Sequence, residues 1–172
     1  MATFVLVHGS MHGGWCWQRV TPRLRAAGHE VHTPTLSGLG DRAHEAPPAI
    51  DLETHIADVL AVLGPADTAT VILVGHSYAT MVVSGAADHA TGRVAHLVYL
   101  DGPIPTDGDA LLDFFPPEGR AARYADVEDQ GDGWRLLPPE DLSGFGLIDE
   151  YDVAWVRPLL TPQPFKTMTV PL

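Results

Sequence analysis

The sequence contains little cysteine and few basic side chains. Cys16 is the only cysteine in 172 residues, so the fold cannot depend on an intrachain disulfide. Ten Lys and Arg residues stand against 22 Asp and Glu residues, which gives a formal net charge of −12. Nucleic acids and anionic membrane surfaces are negatively charged as well. The charge therefore argues against both as partners.

Long hydrophobic runs are lacking too. The apolar run from Phe4 to Val7 is far too short for a signal or transmembrane helix, and no basic segment precedes it. The chain has no internal repeat, and its 45% hydrophobic and 19% charged residues are typical of a globular domain. We expect a cytoplasmic protein without a membrane partner.

Short apolar runs alternate with helix-like stretches, which is typical of a parallel sheet covered by helices on both faces. The sequence predicts strands at 3–7, 30–34, 70–74 and 94–100. It predicts helices at 17–27 and 78–90, and a helix capped by Asp51 that ends at Gly64-Pro65. We expect a doubly wound α/β fold with a mostly parallel sheet.

Residues 103–172 differ in composition from the first part of the chain. They are rich in proline, glycine and acidic residues, and scattered aromatic side chains make a disordered tail an unlikely interpretation. This pattern predicts a helical cap folded over the carboxyl edge of the sheet, where open α/β sheets place their chemistry. We expect residues 1–102 to form the core and residues 103–172 the cap region.

The segment Gly75-His76-Ser77-Tyr78-Ala79 lies between a predicted strand and a predicted helix. A nucleophilic serine is held on such a tight turn, and the residues two before and two after it must be small because helix and strand cross closely there. Gly75 and Ala79 satisfy this requirement, although Ala79 departs from the usual G-x-S-x-G pattern. A simple turn serine remains the alternative from this motif alone.

A glycine-rich loop follows the first predicted strand, at 8–15. In serine hydrolases of this architecture, one oxyanion-hole amide comes from the residue after the nucleophile and the other from such a loop. The backbone N–H groups of Ser10 and Tyr78 would be these two donors. A tight turn that folds Trp15 and Trp17 back onto the core is a second, compatible interpretation.

Five segments, in order, make the chain resemble the α/β-hydrolase superfamily, in the branch of small esterases, plant methylesterases and hydroxynitrile lyases. They are Phe4-Val5-Leu6-Val7-His8-Gly9, His12-Gly13-Gly14-Trp15-Cys16-Trp17, residues 33–42, Val74-Gly75-His76-Ser77-Tyr78 and His96-Leu97-Val98-Tyr99-Leu100-Asp101. The usual pattern has two glycines where this chain has Ala79-Thr80. The segment at 160–164 also fits the end of that family's cap.

The resemblance implies two further strands and a last helix, which carry the family's catalytic acid and histidine. All nine histidines of this chain lie at or before His96, so the base and acid are expected from residues beyond this chain, or from a second chain that completes the sheet. His8 and His12, which flank the oxyanion loop, are the internal candidates for the base. Asp101 is a possible acid, with capping of the Gly102-Pro103 turn as the alternative.

We therefore expect hydrolysis of a small apolar carboxylic ester through an acyl-enzyme on Ser77, with the ring of Tyr78 and the cap aromatics shaping the acyl pocket. A non-hydrolytic or inactive homologue with a binding, cyclase-like or partner role is one alternative, and a hydroxynitrile-lyase-type lyase is another. No cofactor is implied. The scattered histidines lack metal-ligand spacing, and no metal site is expected.

Overall fold

The computed structural model describes residues 1–64 and 70–172, so Pro65, at the predicted end of the second helix, lies outside the described residues. Four parallel strands form the main sheet in the order β2-β1-β3-β4. They are β1 (Thr3–Val7), β2 (Glu30–His32), β3 (Val71–His76) and β4 (Val94–Leu100). The predicted parallel α/β sheet is confirmed, with β2 shorter than predicted and β3 extending further toward Ser77.

Three helices connect these strands. They are α1 (Thr21–Ala26), α2 (Leu52–Leu63) and α3 (Ala79–His89). The helix predicted at 17–27 is divided in the structure: a 3-10 turn covers Gly14–Trp17, and α1 begins beside Pro22, in its first turn. Proline favours this position because it lacks the N–H that a helix start leaves unpaired. The prediction of one continuous helix was wrong for this reason.

The predicted capping of α2 by Asp51 is confirmed. The Asp51 carboxylate accepts a hydrogen bond from the Thr54 backbone N–H, and the Asp51 N–H donates to the Thr54 hydroxyl. This reciprocal pair satisfies two backbone donors at the helix start. The apolar face of α2, which includes Leu52, Ile56 and Val59, is buried in the main core.

The two faces of the sheet are covered by different helices. Val5 and Val7 of β1 join the core cluster that contains α2 and α3, whereas Leu6 joins a second cluster with Trp17 and Leu24 near α1. Successive side chains of a strand point to opposite faces. The arrangement confirms the doubly wound architecture.

The far side of β4 is uncovered in the described structure. Among the described residues β4 pairs only with β3, and Val98 and Leu100 are 39% and 45% exposed. Leu97 and Tyr99, on the opposite face, pack against the main core. An apolar strand with one unpaired edge and one open face is a surface that recruits another strand.

Residues 103–172 contain α4 (Pro117–Gln130), α5 (Glu150–Val156) and α6 (Lys166–Thr169), together with an antiparallel pair of β5 (Arg135–Leu136) and β6 (Gln163–Pro164). Leu111, Phe165 and Met168 join the main core cluster, so this region packs on the sheet layer directly. The division into a core and a cap region at residue 102 stays a prediction. No helix in the described ranges is long and apolar enough to cross a membrane.

Gly75→Ala is expected to destabilise the protein by about 2–4 kcal/mol, because the closely packed site must shift to admit the methyl group. The added Cβ would lie 2.6 Å from both the Ala79 carbonyl oxygen and Val83 Cγ2. Gly119→Ala is the matched control: its Cβ meets nothing closer than 3.5 Å in α4, and we expect a gain of up to about 1 kcal/mol. Urea unfolding of both variants measures the difference. Equal stability of the two variants would contradict the close crossing at Gly75.

Candidate active site

Ser77 lies on the turn between the end of β3 and the start of α3. Its φ is +53°, a left-handed conformation that a residue with a Cβ adopts only under local strain. The Ser77 N–H donates to the Leu100 carbonyl at 3.0 Å, which fixes the turn to the end of β4. The strand-to-helix turn predicted from the sequence is therefore present. The catalytic role of Ser77 stays a prediction.

The glycine-rich loop after β1 lies directly against this turn. A Cβ at Gly9 would be 3.1 Å from the Ser77 Cβ, so a side chain there would push the two segments apart by a few tenths of an ångström. Ser10 and Ser77 line the same cavities. Within residues 1–64 and 70–172, the backbone N–H groups of Ser10 and Tyr78 have no hydrogen-bond acceptor. Two amides without acceptors thus lie beside a candidate nucleophile.

His8 holds the peptide that carries the Ser10 N–H. The Leu36 N–H donates to His8 Nε2 at 3.0 Å, so the ring proton is on Nδ1, which donates to the Gly9 carbonyl at 2.9 Å. That carbonyl and the Ser10 N–H belong to one planar peptide and point in opposite directions. Burial, the largest cause, lowers the His8 pKa to about 3 and keeps the ring neutral. Both ring nitrogens are occupied, so His8 is excluded as the base for Ser77.

His12 donates from Nδ1 to the Ser10 carbonyl at 2.7 Å. Its ring stacks on Trp15 and meets Phe145 of the cap edge-on, and burial lowers its pKa. His12 lines a small cavity of about 230 Å³ with His76, Ser77 and Asp101. Nevertheless, Ser77 Oγ has no hydrogen-bond partner among the described residues. The described part of the chain therefore brings no imidazole into a nucleophile–base pair.

Asp101, the possible acid, immediately follows β4 and has a φ of +49°. It lines both cavities that contain Ser77. In the described ranges its carboxylate accepts no hydrogen bond, so it does not cap the Gly102-Pro103 turn. Its charge acts on the His76 imidazole: burial, the largest cause, lowers the pKa of that ring, and the Asp101 charge raises it. Its assignment as an acid stays a prediction.

Ser77 opens into a cavity of about 510 Å³ between the sheet edge and the cap. Its walls are mostly apolar, and its side chains include Met11, Leu111, Phe114, Phe115, Phe145 and Met168. Arg123 is the cationic side chain of the lining, and its guanidinium lies 3.8 Å from the centre of the Phe115 ring. A larger groove of about 800 Å³ lies beside α1 and contains neither Ser77 nor Ser10. The cavity with the serine is therefore the candidate active site.

The expectation that the Tyr78 ring shapes the acyl pocket was wrong. Tyr78 is 1% exposed, and its hydroxyl donates to His55 Nδ1 at 2.8 Å on the α2 side of the sheet. His55 Nε2 donates to the Ser37 carbonyl, so its ring has a single tautomer as well. The elbow backbone turns its Tyr78 side chain into the core. Only the Tyr78 amide remains available to the site.

In the part of the chain that the structure describes, no group of three or more His, Cys, Asp or Glu side chains could hold a metal ion.

Comparison with known proteins gives the family. The model of the alpha/beta hydrolase family matches residues 4–171. A carbendazim-hydrolysing esterase from Nocardioides sp. (strain SG-4G) is 42% identical over 181 aligned residues, which cover all of this chain and 73% of that enzyme. The probable esterase PIR7A from Oryza sativa subsp. indica is 36% identical over 106 residues, which cover 61% of this chain and 40% of that protein.

Among solved structures, an extracellular alpha/beta-hydrolase from a Paenibacillus species superposes with a TM-score of 0.88. It is 24% identical, and the match covers all of this chain and 71% of that chain. A methylesterase from Arabidopsis, MES16, superposes with a TM-score of 0.76 at 24% identity and 69% coverage of its chain. The chain thus spans about 70% of the length of these structures. It belongs to the alpha/beta hydrolase family, in its esterase-like branch.

Proposed function

We propose that Ser77 is the nucleophile of a carboxylic-ester hydrolase and that the Ser10 and Tyr78 amides form its oxyanion hole. The observation that carries the proposal is that Ser10 and the strained Ser77 line one cavity, where the Ser77 hydroxyl has no hydrogen-bond partner among the described residues and the N–H groups of Ser10 and of the adjacent Tyr78 have no acceptor there. A backbone N–H group shielded from water is costly unless it receives a partner. The oxygen of a tetrahedral intermediate supplies that partner.

In the proposed reaction, Ser77 Oγ attacks the ester carbonyl carbon while its proton passes to a general base. The new C–O bond makes the tetrahedral oxyanion, which the two amides stabilise. The ester C–O bond then breaks, and the alcohol leaves with that proton. Water hydrolyses the acyl-enzyme in the same way and releases the carboxylic acid. We propose that the base comes from residues outside this chain, with Asp101 as the candidate acid inside it.

The proposed substrate is a small, largely apolar ester. The cavity of about 510 Å³ and its aliphatic and aromatic walls support this class. The 42% identity to a carbendazim-hydrolysing esterase, over the whole chain, supports the same reaction type. A cytoplasmic location stays a prediction from the sequence.

A non-hydrolytic role is the second candidate. It is favoured by one observation, that Ser77 Oγ has no base among the described residues. In that case the cavity would bind a small apolar molecule without cleaving it. A lyase that acts on cyanohydrins would need the same absent base, so the described residues favour it less than a binding role.

We also propose that the open edge of β4 is paired in the working protein, either by a segment that follows this chain in sequence or by a second polypeptide. The exposed apolar side chains Val98 and Leu100 support this proposal. Light scattering of the 172-residue chain is expected to show self-association. A stable monomer of 18.5 kDa would contradict it.

Ser77→Ala tests the nucleophile directly. Diethyl p-nitrophenyl phosphate transfers its diethylphosphoryl group to an activated serine and releases p-nitrophenolate. The test uses a fusion in which the part of the carbendazim-hydrolysing esterase that the match does not cover follows Leu172; this fusion is called the completed protein. We expect one such adduct per completed protein, on Ser77, and none in Ser77→Ala. Ser84→Ala is the matched control, because Ser84 lines neither cavity that contains Ser77, and it should react within about threefold of the unsubstituted protein. Intact-mass and peptide mass spectrometry measure both. Absence of an adduct on the completed protein would favour the non-hydrolytic role.

A further inference from the structure

Thr80, in the first turn of α3, has no exposed surface. Its backbone N–H and its Oγ1–H both donate to the Ser77 carbonyl, each at 3.0 Å. A buried hydroxyl requires a hydrogen-bond partner, and the acceptor of the Thr80 hydroxyl is the Ser77 carbonyl. The usual family pattern places a glycine at this position, and glycine would supply only the N–H.

The Ser77 carbonyl is enclosed on its other side. A Cβ at Gly102 would lie 2.5 Å from that oxygen and 2.6 Å from Thr80 Cγ2. The Gly102 backbone and the Thr80 side chain therefore form two walls around the oxygen. Because a displaced carbonyl would meet these walls, the two bonds from Thr80 define one orientation of the group.

This orientation determines the direction of the Tyr78 amide. The Ser77 carbonyl and the Tyr78 N–H are the two ends of one planar trans peptide, so they point in opposite directions. Fixing the carbonyl toward Thr80 therefore fixes the direction of the Tyr78 N–H as well. Donation to the carbonyl also polarises the peptide, which makes its N–H a stronger donor.

We propose that Thr80 is a positioning residue whose hydroxyl orients and polarises the Ser77–Tyr78 peptide, so that the Tyr78 N–H is aimed at the oxyanion. The proposal rests on the proposed function of Ser77. This role would explain the presence of threonine at position 80, where the usual family pattern has glycine. His8, which donates to the Gly9 carbonyl, holds the Ser10 amide in the same way from the other side of the site.

Three variants isolate the hydroxyl. Thr80→Val keeps the shape of the side chain and removes the Oγ1–H donor, and Thr80→Ser restores a hydroxyl. Ser84→Ala is the matched control, because the Ser84 hydroxyl donates to the Thr80 carbonyl in the same helix and does not line the cavity of Ser77. Near-ultraviolet circular dichroism checks that each variant is folded.

The first readout is the rate at which Ser77 of the completed protein is phosphorylated by diethyl p-nitrophenyl phosphate, whose phosphoryl oxygen occupies the oxyanion position. We expect Thr80→Val to react about 10-fold more slowly, which is less than the 10²- to 10³-fold typical of losing a whole donor, since the N–H is misdirected and not removed. The reagent concentration at half-maximal rate should stay unchanged. Thr80→Ser and Ser84→Ala should react within about twofold of the unsubstituted protein.

The second readout is the ¹⁵N chemical shift of the Tyr78 amide, which does not depend on reactivity. It should move in Thr80→Val and return in Thr80→Ser, and Ser84→Ala should leave it in place. An unmoved Tyr78 signal together with an unchanged rate in Thr80→Val overturns the proposal. If the Tyr78 chemical shift changes in Thr80→Val but Ser77 never reacts in any variant, the proposed function of Ser77 is refuted. The effect of the Thr80 hydroxyl on the Ser77–Tyr78 peptide would still be established.

Discussion

Lowering the pH from 6.5 to 4.5 is expected to reduce the free energy of unfolding by about 5 kcal/mol. His8 and His55 are both fully buried, and desolvation is the largest cause that lowers their pKa values, to about 3 and about 4. The unfolded chain takes up protons on these rings below pH 6.5, whereas the folded protein does not. Stability from this source is therefore complete above pH 6.5 and is lost as the pH falls toward the folded pKa values.

The size of the effect follows from two buried rings over two pH units, at about 2.5 kcal/mol each. Domains of this size are stable by only about 5–15 kcal/mol, so the protein should approach unfolding near pH 4.5. Carboxylates with lowered pKa values, such as Asp51 and Asp109, also stabilise the folded protein less as the pH falls. Their contribution is lost only at pH values below the usual pKa of aspartate.

Urea unfolding at half-unit intervals of pH measures this dependence. His55→Phe removes one of the two buried groups and should halve the slope of stability against pH, whatever its effect on stability at neutral pH. His89→Asn, on the exposed end of α3, is the control and should leave the slope unchanged. A flat profile between pH 6.5 and 4.5 would show that the two rings do not stay neutral in the folded protein.

The completed protein is expected to hydrolyse esters about 1,000-fold faster than the 172-residue chain, or more. The 172-residue chain should turn over p-nitrophenyl acetate poorly, because a serine hydroxyl without a base is a weak nucleophile. The completed protein would carry, after Leu172, the part of the carbendazim-hydrolysing esterase that the match to this chain does not cover. That part is expected to pair with β4 and to bring a base to Ser77.

Initial rates of p-nitrophenolate release compare the two proteins, and Ser77→Ala in the completed protein is the control that should return the rate to background. Ordinary esterase rates from the 172-residue chain alone, abolished by Ser77→Ala, would contradict this expectation. An internal base would then have to exist. His12→Ala would identify it, since His12 and Ser77 border the same small cavity.

The parts of the fold that could be predicted from sequence are those determined by local signals. The bounds of β1 and β4 agree with their apolar runs, and the cap of α2 at Asp51 follows from capping chemistry that spans only three residues. The start of α1 was predicted less well, because apolar periodicity continues through the 3-10 turn that Trp17 ends. Only the position of Pro22 indicates where the helix begins.

Features of the site that one segment forms could be predicted from the sequence. Features formed where distant segments meet could not. The elbow of Ser77 has a local pattern, whereas the cavity walls come from Phe115 in the cap and Met168 near the end of the chain. No pattern in the sequence joins these positions. The direction of the Tyr78 ring was missed for a related reason: its partner, His55, lies 23 residues earlier, and both ring nitrogens of His55 are engaged only in the folded protein.

The hydrogen bond from the Ser77 N–H to the Leu100 carbonyl links the reactive turn to the edge of the sheet. Edge strands open by fraying more readily than central strands, and hydrogen exchange detects such opening. When the end of β4 frays, Ser77 loses the acceptor that holds its backbone, and the strained turn is free to relax. A strand paired to the outer side of β4 slows this fraying. The rigidity of the candidate nucleophile therefore depends on the neighbour of β4, even though that neighbour need not contact Ser77.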